Sequence, residues 1–291
     1  MIDLPKPFAV VCHDAGAANI IIAWLEAMPS LEDIHVYLEG PAADLWTKIF
    51  PGVKLCSNLE LVLFRSVALL SGTGWASDLE YNARKIAKER DIFSVAVLDH
   101  WVNYSERFYR HGIQLLPNEL WVTDDYAKSI AEANFPNQII RQLPNLYLMQ
   151  QVEKISSLSD EAAELLYIAE PARDEWGRGV AGEFQALDFF LTQLPKLRLP
   201  ADVVVRLRPH PSEEKDKYNL WMQEHPHLHF ILDESIDLSA AISRAKWVVG
   251  CQSFALIIAL VANRQVYCAL PPWAPASRLP HDGITYLKDV C

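Results

Sequence analysis

The chain has 291 residues, enough for one large domain or two, and 51% apolar residues with nine tryptophans mark a sequence that folds around a buried core rather than a disordered one. Its formal net charge of −11 argues against nucleic acid as the main partner, since phosphate backbones are bound by positive surfaces, so any anionic ligand has to be caught by a local cluster. The five cysteines, Cys12, Cys56, Cys251, Cys268 and Cys291, are scattered and lack CxxC spacing, which speaks against a disulfide framework or a zinc site and fits a reducing cytoplasm.

Phe8-Ala9-Val10-Val11-Cys12 predicts a short buried strand, His13-Asp14-Ala15-Gly16 a turn, and residues 17–28 a helix that starts on small residues. The same rhythm predicts strands near 33–38, 66–71, 92–98, 119–123 and 137–141, with helices near 41–50, 77–90 and 124–134. Residues 146–163 are polar and lose the strand period, through Gln150-Gln151, Glu153-Lys154 and Ser156-Ser157-Leu158-Ser159-Asp160, which places a domain boundary there. Beyond it, strands are expected at 164–169, 202–207, 228–232, 246–250 and 265–269, and helices at 179–194, 213–224, 237–244 and 252–262. Alternating short apolar runs and helices predict an α/β protein: two Rossmann-like domains, residues 1–150 and 164–291, whose mostly parallel sheets are covered on both faces and face a central cleft. No tandem repeat or low-complexity tract interrupts this pattern. No stretch reaches the roughly 18 to 20 apolar residues of a membrane span and no signal core opens the chain, so a soluble cytoplasmic protein is expected. Peripheral membrane contact stays open, although no basic amphipathic helix announces it.

The polar residues at the carboxyl ends of the expected strands carry the chemistry, because ligands of open α/β sheets bind outside those ends. After the first strand, small residues in His13-Asp14-Ala15-Gly16-Ala17-Ala18-Asn19 let a ligand approach the backbone, and the adjacent imidazole and carboxylate supply acid–base groups. The run is not a GxGxxG fingerprint, and no P-loop occurs. Asp14 as a plain turn or cap residue is the alternative. Ser71-Gly72-Thr73-Gly74 would offer amides at the same edge, unless it is simply a glycine-rich turn. Asp99-His100-Trp101-Val102-Asn103-Tyr104, continuing to Arg107, is rich in aromatic and polar groups suited to a sugar ring; its plainer reading is an aromatic-packed loop with a buried Asp–Arg pair. Asp124-Asp125 reads as helix capping, and no convincing DxD site occurs, so no metal and no cofactor is expected.

Residues 203–213 are the most concentrated anion-binding stretch. Val203, Val204 and Val205 lead through Arg206 and Arg208 to Pro209-His210-Pro211, whose prolines must end the strand, and Ser212 is placed to N-cap a following helix. The alternative is that the arginines pair with carboxylates and His210 is an exposed loop residue. After Val249-Gly250, the run Cys251-Gln252-Ser253 begins a helix whose free amides and Ser253 hydroxyl would receive phosphate oxygens, a role compatible with Ser253 acting as an N-cap.

Taken together, the two α/β domains, the polar loop after the first strand and the phosphate-binding edges resemble GT-B glycosyltransferases over nearly the whole chain. More narrowly, Arg208-Pro209-His210-Pro211 and Gln252-Ser253 resemble the HP and serine motifs of bacterial sialyltransferases, capsule Kdo transferases and CDP-glycerol polymerases. The resemblance implies a metal-independent transferase that takes a sugar from a nucleotide-activated donor, CMP-sugar favoured, to a carbohydrate acceptor in polysaccharide biosynthesis. It implies donor binding in the second domain, with His210, Arg208 and Ser253 stabilising the departing phosphate, and an acceptor on the first, with Asp14 the first choice of general base, Asp99 the second, and His13 and His100 their partners. The acidic motif of sialyltransferases, two acidic residues before a glycine, is matched in Asp14-Ala15-Gly16 by one acidic residue only. Two other classes share the expected architecture: UDP-N-acetylglucosamine 2-epimerases, told apart by their product, and a silent nucleotide-binding subunit, told apart by binding without turnover.

Overall fold

Phe8, Ala9, Val10, Val11 and Cys12 are apolar without alternation because their strand is buried on both faces, the mark of a parallel sheet under two helix layers. The computed structural model describes residues 2–75, 77–158, 164–171, 174–200, 202–214, 216–226 and 229–290, and the chain divides into two compact units, Met1–Tyr147 and Leu148–Cys291. The first unit runs β1 (Phe8–Cys12), α1 (Ala15–Glu26), β2 (Ile34–Leu38), α2 (Gly40–Ile49), α3 (Leu59–Phe64), β3 (Ala68–Ser71), α4 (Leu79–Glu89), β4 (Phe93–Val97), a hairpin of β5 (Tyr109–Arg110) and β6 (Ile113–Gln114), β7 (Glu119–Val122), α5 (Asp125–Asn134) and β8 (Ile139–Gln142). Its main sheet is parallel in the order β2-β1-β3-β4-β7-β8. Side chains alternate across it: Phe8, Val10 and Cys12 join Ile21, Trp24, Leu25 and Trp46 in one core layer, while Ala9 and Val11 pack with Leu69, Leu79, Ala83 and Ala87 on the other face.

Helix α6 (Leu146–Glu153) carries the chain into the second unit, which continues with β9 (Glu164–Ile168), α7 (Gly182–Gln193), β10 (Val204–Arg208), α8 (Asn219–Glu224), β11 (Phe230–Leu232), α9 (Leu238–Arg244), β12 (Ala245–Gly250), α10 (Phe254–Val261), β13 (Gln265–Cys268) and β14 (Ile284–Tyr286). Its sheet is also parallel, in the order β11-β10-β9-β12-β13-β14. Tyr167, Phe190, Leu207, Trp221, Trp247 and Val249 form its main core layer. Helix α10 is apolar nearly all round because Ala255 to Ala259 are all buried.

Each unit is thus a Rossmann-like α/β domain, and the differences from the expected elements are local. The polar stretch from residue 146, expected as the domain boundary, opens as helix α6, where Leu146, Leu148, Met149 and Val152 recur among the glutamines; Ser159 and Asp160 lie outside the described residues. Helix α3 falls where no element was expected; Asn58 stands at its N-cap, with a side chain that accepts the Leu61 N–H at 2.8 Å. The helix expected over 213–224 contracts to α8, so Ser212 does not cap it; Tyr218 stands at the cap position instead. No described helix is long and apolar enough to cross a membrane.

Candidate functional site

In each sheet the chain leaves its first strand to one side and later returns to the other, and such a reversal opens a crevice at the carboxyl ends of the two central strands. In the first unit the reversal lies between β1 and β3, where His13-Asp14 meets Ser71-Gly72-Thr73-Gly74. In the second it lies between β9 and β12, where the residues after Ile168 meet Cys251-Gln252-Ser253. Strand order therefore brings several of the expected segments to the two positions at which open α/β sheets generally bind ligands.

At the first switch point Asp14 occupies the N-cap position of α1 in extended conformation, yet its side chain makes no capping bond. Asp14 Oδ1 instead lies 2.7 Å from His13 Nδ1. A carboxylate only accepts, so Nδ1–H donates and Nε2 of the neutral ring is the free acceptor. That nitrogen faces Gly40, which has φ +52° and no Cβ; a Cβ there would stand 2.6 Å from Nε2. The Asp14 carboxylate lies against Gly74, where a Cβ would come within 3.0 Å of Oδ1. Asp99 packs in the same way against Gly16, but Arg107 Nη1 donates to its Oδ1 at 2.5 Å, so Asp99 is tied into the buried Asp–Arg pair of the plainer reading.

The residues expected to hold an acceptor are mostly inside the protein. Ser71, Thr73, Trp101, Tyr104 and Arg107 are all buried. Thr73 Oγ1 donates to the Val97 carbonyl at 2.9 Å and accepts from Arg107 at 3.0 Å. Trp101 Nε1 donates to the Asp124 carboxylate, which caps α5 through the Ala127 N–H, and Tyr104 Oη reaches the Ala127 carbonyl. His100 uses Nδ1 to accept the Trp101 N–H at 2.9 Å. Gly72 and Gly74 line the loop with their carbonyls turned to Arg84 and Arg110. The exposed aromatic beside them is Trp75, 47% exposed, with the Arg107 guanidinium 5.1 Å from its ring centre.

In the second unit both strand arginines are held by carboxylates. Arg206 reaches back to Glu164, the first residue of β9, with Nε at 3.0 Å and Nη2 at 2.8 Å, so its charge lies toward the opposite end of the strand from the expected phosphate edge. Arg208 Nη1 pairs with Asp233, whose side chain is fully buried, and donates to the Ser235 carbonyl at 3.2 Å. His210 is exposed; the Ser212 N–H donates to its Nδ1 at 3.2 Å, and Ser212 Oγ lies 2.8 Å from the same atom. With Nδ1 accepting, the neutral ring carries its proton on Nε2, a donor suited to a phosphate oxygen. Enclosure of the ring lowers its pKa against the opposing pull of Glu213. Ser253 N-caps α10 by accepting the Ala255 N–H at 3.2 Å, and Gln252 stands beside it at the sheet edge. The amides of Cys251, Gln252 and Ser253 are not free, however: all three donate to Glu170 Oε1, at 2.8, 2.7 and 2.8 Å. Burial pushes the Glu170 carboxyl above its ordinary range although the three N–H groups pull it down.

Sequence reasoning passed over Glu170, Glu80, Arg84 and Gly40. Ile168-Ala169-Glu170-Pro171 is a strand end closed by proline, the same signal that drew attention to Arg208-Pro209. Glu80 and Arg84 share the apolar stripe of α4 with Ala83 and Ala87, an acid–base pair one turn apart where a core face should be apolar. Gly40 carries no local signal of its contact with His13.

No protein-family model and no curated protein sequence matches this chain. Solved structures do resemble it. MnaA of S. aureus, determined with UDP, is 12% identical with a TM-score of 0.59, covering 91% of this chain and 79% of its own. The UDP-GlcNAc 2-epimerase of Neisseria meningitidis, bound to UDP-GlcNAc, is 10% identical with a TM-score of 0.57 over 90% of this chain and 81% of its own. The glycotransferase of kitacinnamycin is 12% identical with a TM-score of 0.56 over 99% and 88%. At these identities the likeness establishes the fold: two Rossmann-like domains of the GT-B type.

Proposed function

We propose that this protein is a glycosyltransferase that moves a sugar from a nucleotide-activated donor to a carbohydrate acceptor. The observation that carries the reading is the His13–Asp14 pair at the β1/β3 switch point, where a cap-position carboxylate forgoes its cap to hold an imidazole with Nε2 as the acceptor. In a direct displacement, the acceptor hydroxyl gives its proton to His13 Nε2 while its oxygen bonds to the anomeric carbon. The bond from that carbon to the donor phosphate oxygen breaks, and Asp14 stabilises the imidazolium. Trp75 takes the sugar-stacking role, with a large exposed ring where Trp101 is buried. His210 Nε2–H, oriented by Ser212 on Nδ1, meets the departing phosphate's charge together with Ser253 and the remaining donors of Arg208, a preorganised role that needs no metal ion. The likeness of Arg208-Pro209-His210-Pro211 and Gln252-Ser253 to the HP and serine motifs favours a CMP-sugar as donor and a cytoplasmic place in polysaccharide biosynthesis.

A second reading, an epimerase-type enzyme acting on a UDP-sugar, is supported by the UDP and UDP-GlcNAc carried by two structures of the same fold. A thermal-shift screen of CMP, CDP, UDP, GDP and their sugar conjugates separates the two, because a ligand of the folded state raises its stability. A cytidine-selective shift and a glycoside product that forms in the presence of a chelator support the transferase; a uridine shift with an isomerised sugar supports the epimerase. His210→Ala should weaken nucleotide binding. Asp14→Asn should spare binding and lower turnover about 10²- to 10⁴-fold. Binding and turnover left intact by both substitutions would overturn the site assignment, and nucleotide binding without turnover would indicate a silent subunit.

A further inference from the structure

Glu80 and Arg84 are buried charges that the proposed chemistry does not use. Both lie on the inward face of α4, Glu80 fully buried and Arg84 1% exposed. Glu80 Oε1 accepts the His13 N–H at 2.8 Å, the first amide beyond β1. Arg84 Nη1 donates to the Gly72 carbonyl at 3.0 Å and reaches Ser71 Oγ at 3.4 Å, at the end of β3. Glu80 Oε2 and the Nε and Nη2 atoms of Arg84 have no hydrogen-bond partner although they are buried. Leaving such atoms unpaired costs stability, and apolar side chains on the same helix face would avoid that cost, so packing alone does not account for the pair. Burial raises the Glu80 carboxyl and lowers the Arg84 guanidinium to about 10.

We propose that Glu80 and Arg84 are positioning residues: from successive turns of one helix they hold the two lips of the β1/β3 switch point, Glu80 through the His13 N–H and Arg84 through the Gly72 carbonyl, and so fix His13 and Asp14 against Gly74. This assignment rests on the reading of His13–Asp14 as the proton-accepting pair, but its test does not require turnover. In the unmodified protein, the His13 amide proton should exchange with solvent far more slowly than an unprotected amide, because its partner is buried. Glu80→Leu removes the acceptor and should speed that exchange about tenfold or more. Glu80→Gln, which keeps a carbonyl acceptor in place, should restore the slow exchange seen by NMR.

An unprotected His13 amide in the unmodified protein overturns the proposal, and that measurement needs no variant to fold. So does a folded Glu80→Leu protein with unchanged His13 amide exchange, or a Glu80→Gln protein that fails to restore the slow exchange. If the NMR results come out as expected while Asp14→Asn leaves turnover intact, the positioning role stands and the catalytic reading of the pair falls.

Discussion

Gly16→Ala should destabilise the first unit, against the usual preference of helices. Gly16 is the second residue of α1, and replacing glycine by alanine in a helix ordinarily gains about 0.5–1 kcal/mol. Here a Cβ would stand 2.9 Å from Asp99 Cγ and closer still to Oδ2, whereas carbon atoms in contact prefer about 3.5–4.0 Å. The carboxylate must recede by roughly 0.6 Å or more. Arg107, itself buried, holds Asp99 Oδ1 at 2.5 Å and also binds Thr73 and the Val102 carbonyl, so the movement disturbs a buried network instead of swinging an exposed side chain aside. Overpacking of this kind costs about 1–3 kcal/mol, which at a mid-range cost leaves a net loss of about 1 kcal/mol and at most about 2.5 kcal/mol. With two units in the chain a single melting temperature is poorly defined, so the change is best read from hydrogen exchange in peptides of residues 8–26 and 93–110. Repeating Gly16→Ala in an Asp99→Ala background should reverse its sign, because the obstructing carboxylate is gone. An equally stable or more stable Gly16→Ala protein, or the same sign in both backgrounds, would refute the reasoning.

Gly40→Ala places a methyl against His13 Nε2 on a backbone with positive φ; it should lower turnover with little effect on nucleotide binding, and an unchanged rate would argue against Nε2 as the proton acceptor. Glu80 has a folded-state pKa raised from 4.5, chiefly by burial, so the folded protein binds its proton more readily than the unfolded chain does. Stability should therefore decline as pH rises from about 4.5 through the raised value, and urea unfolding of Glu80→Gln across that window should show a flatter decline; parallel curves would contradict the sign. Glu170→Ala leaves the amides of Cys251, Gln252 and Ser253 without their acceptor. Inorganic phosphate should then protect the second unit from exchange more strongly in the variant than in the unmodified protein, and equal protection would show that phosphate does not compete for those amides.

The alternating sheets were legible because a doubly covered strand such as Phe8–Cys12 is a run of apolar residues with no polar face, and small or polar residues mark its end. Ser212 misled because a serine after prolines has the signature of a cap, whereas in the folded chain its hydroxyl and amide both meet His210 and α8 starts seven residues later. Trp101 and Tyr104 misled for a related reason: an aromatic residue near a carboxylate suits a sugar, but it equally suits a core with one buried polar handle, and the Asp124 and Ala127 acceptors that decide between these lie on α5, beyond the loop itself.

What the sequence could not display is the pairing of charge at a distance. Glu80 meets an amide 67 positions away, and Glu170 meets amides 81 to 83 positions away. In both units a glutamate with a raised pKa, Glu80 buried and Glu170 half-buried, accepts backbone N–H groups where the sheet reverses. At the second switch point this has an electrostatic consequence. Free amides at the start of α10 would carry partial positive charge and attract phosphate, but the Glu170 carboxylate cancels it, and Asp233 and Glu164 likewise offset Arg208 and Arg206. What the described residues of this edge keep for an anion is the His210 Nε2–H and the Ser253 hydroxyl, hydrogen-bond donors more than a field of charge. If nucleotide binds there, its affinity should fall only weakly with salt, unlike the steep decline expected where several free cations neutralise phosphates. A steep salt dependence would mean that the ligand displaces Glu170 or Asp233 and uses the charges they now cover.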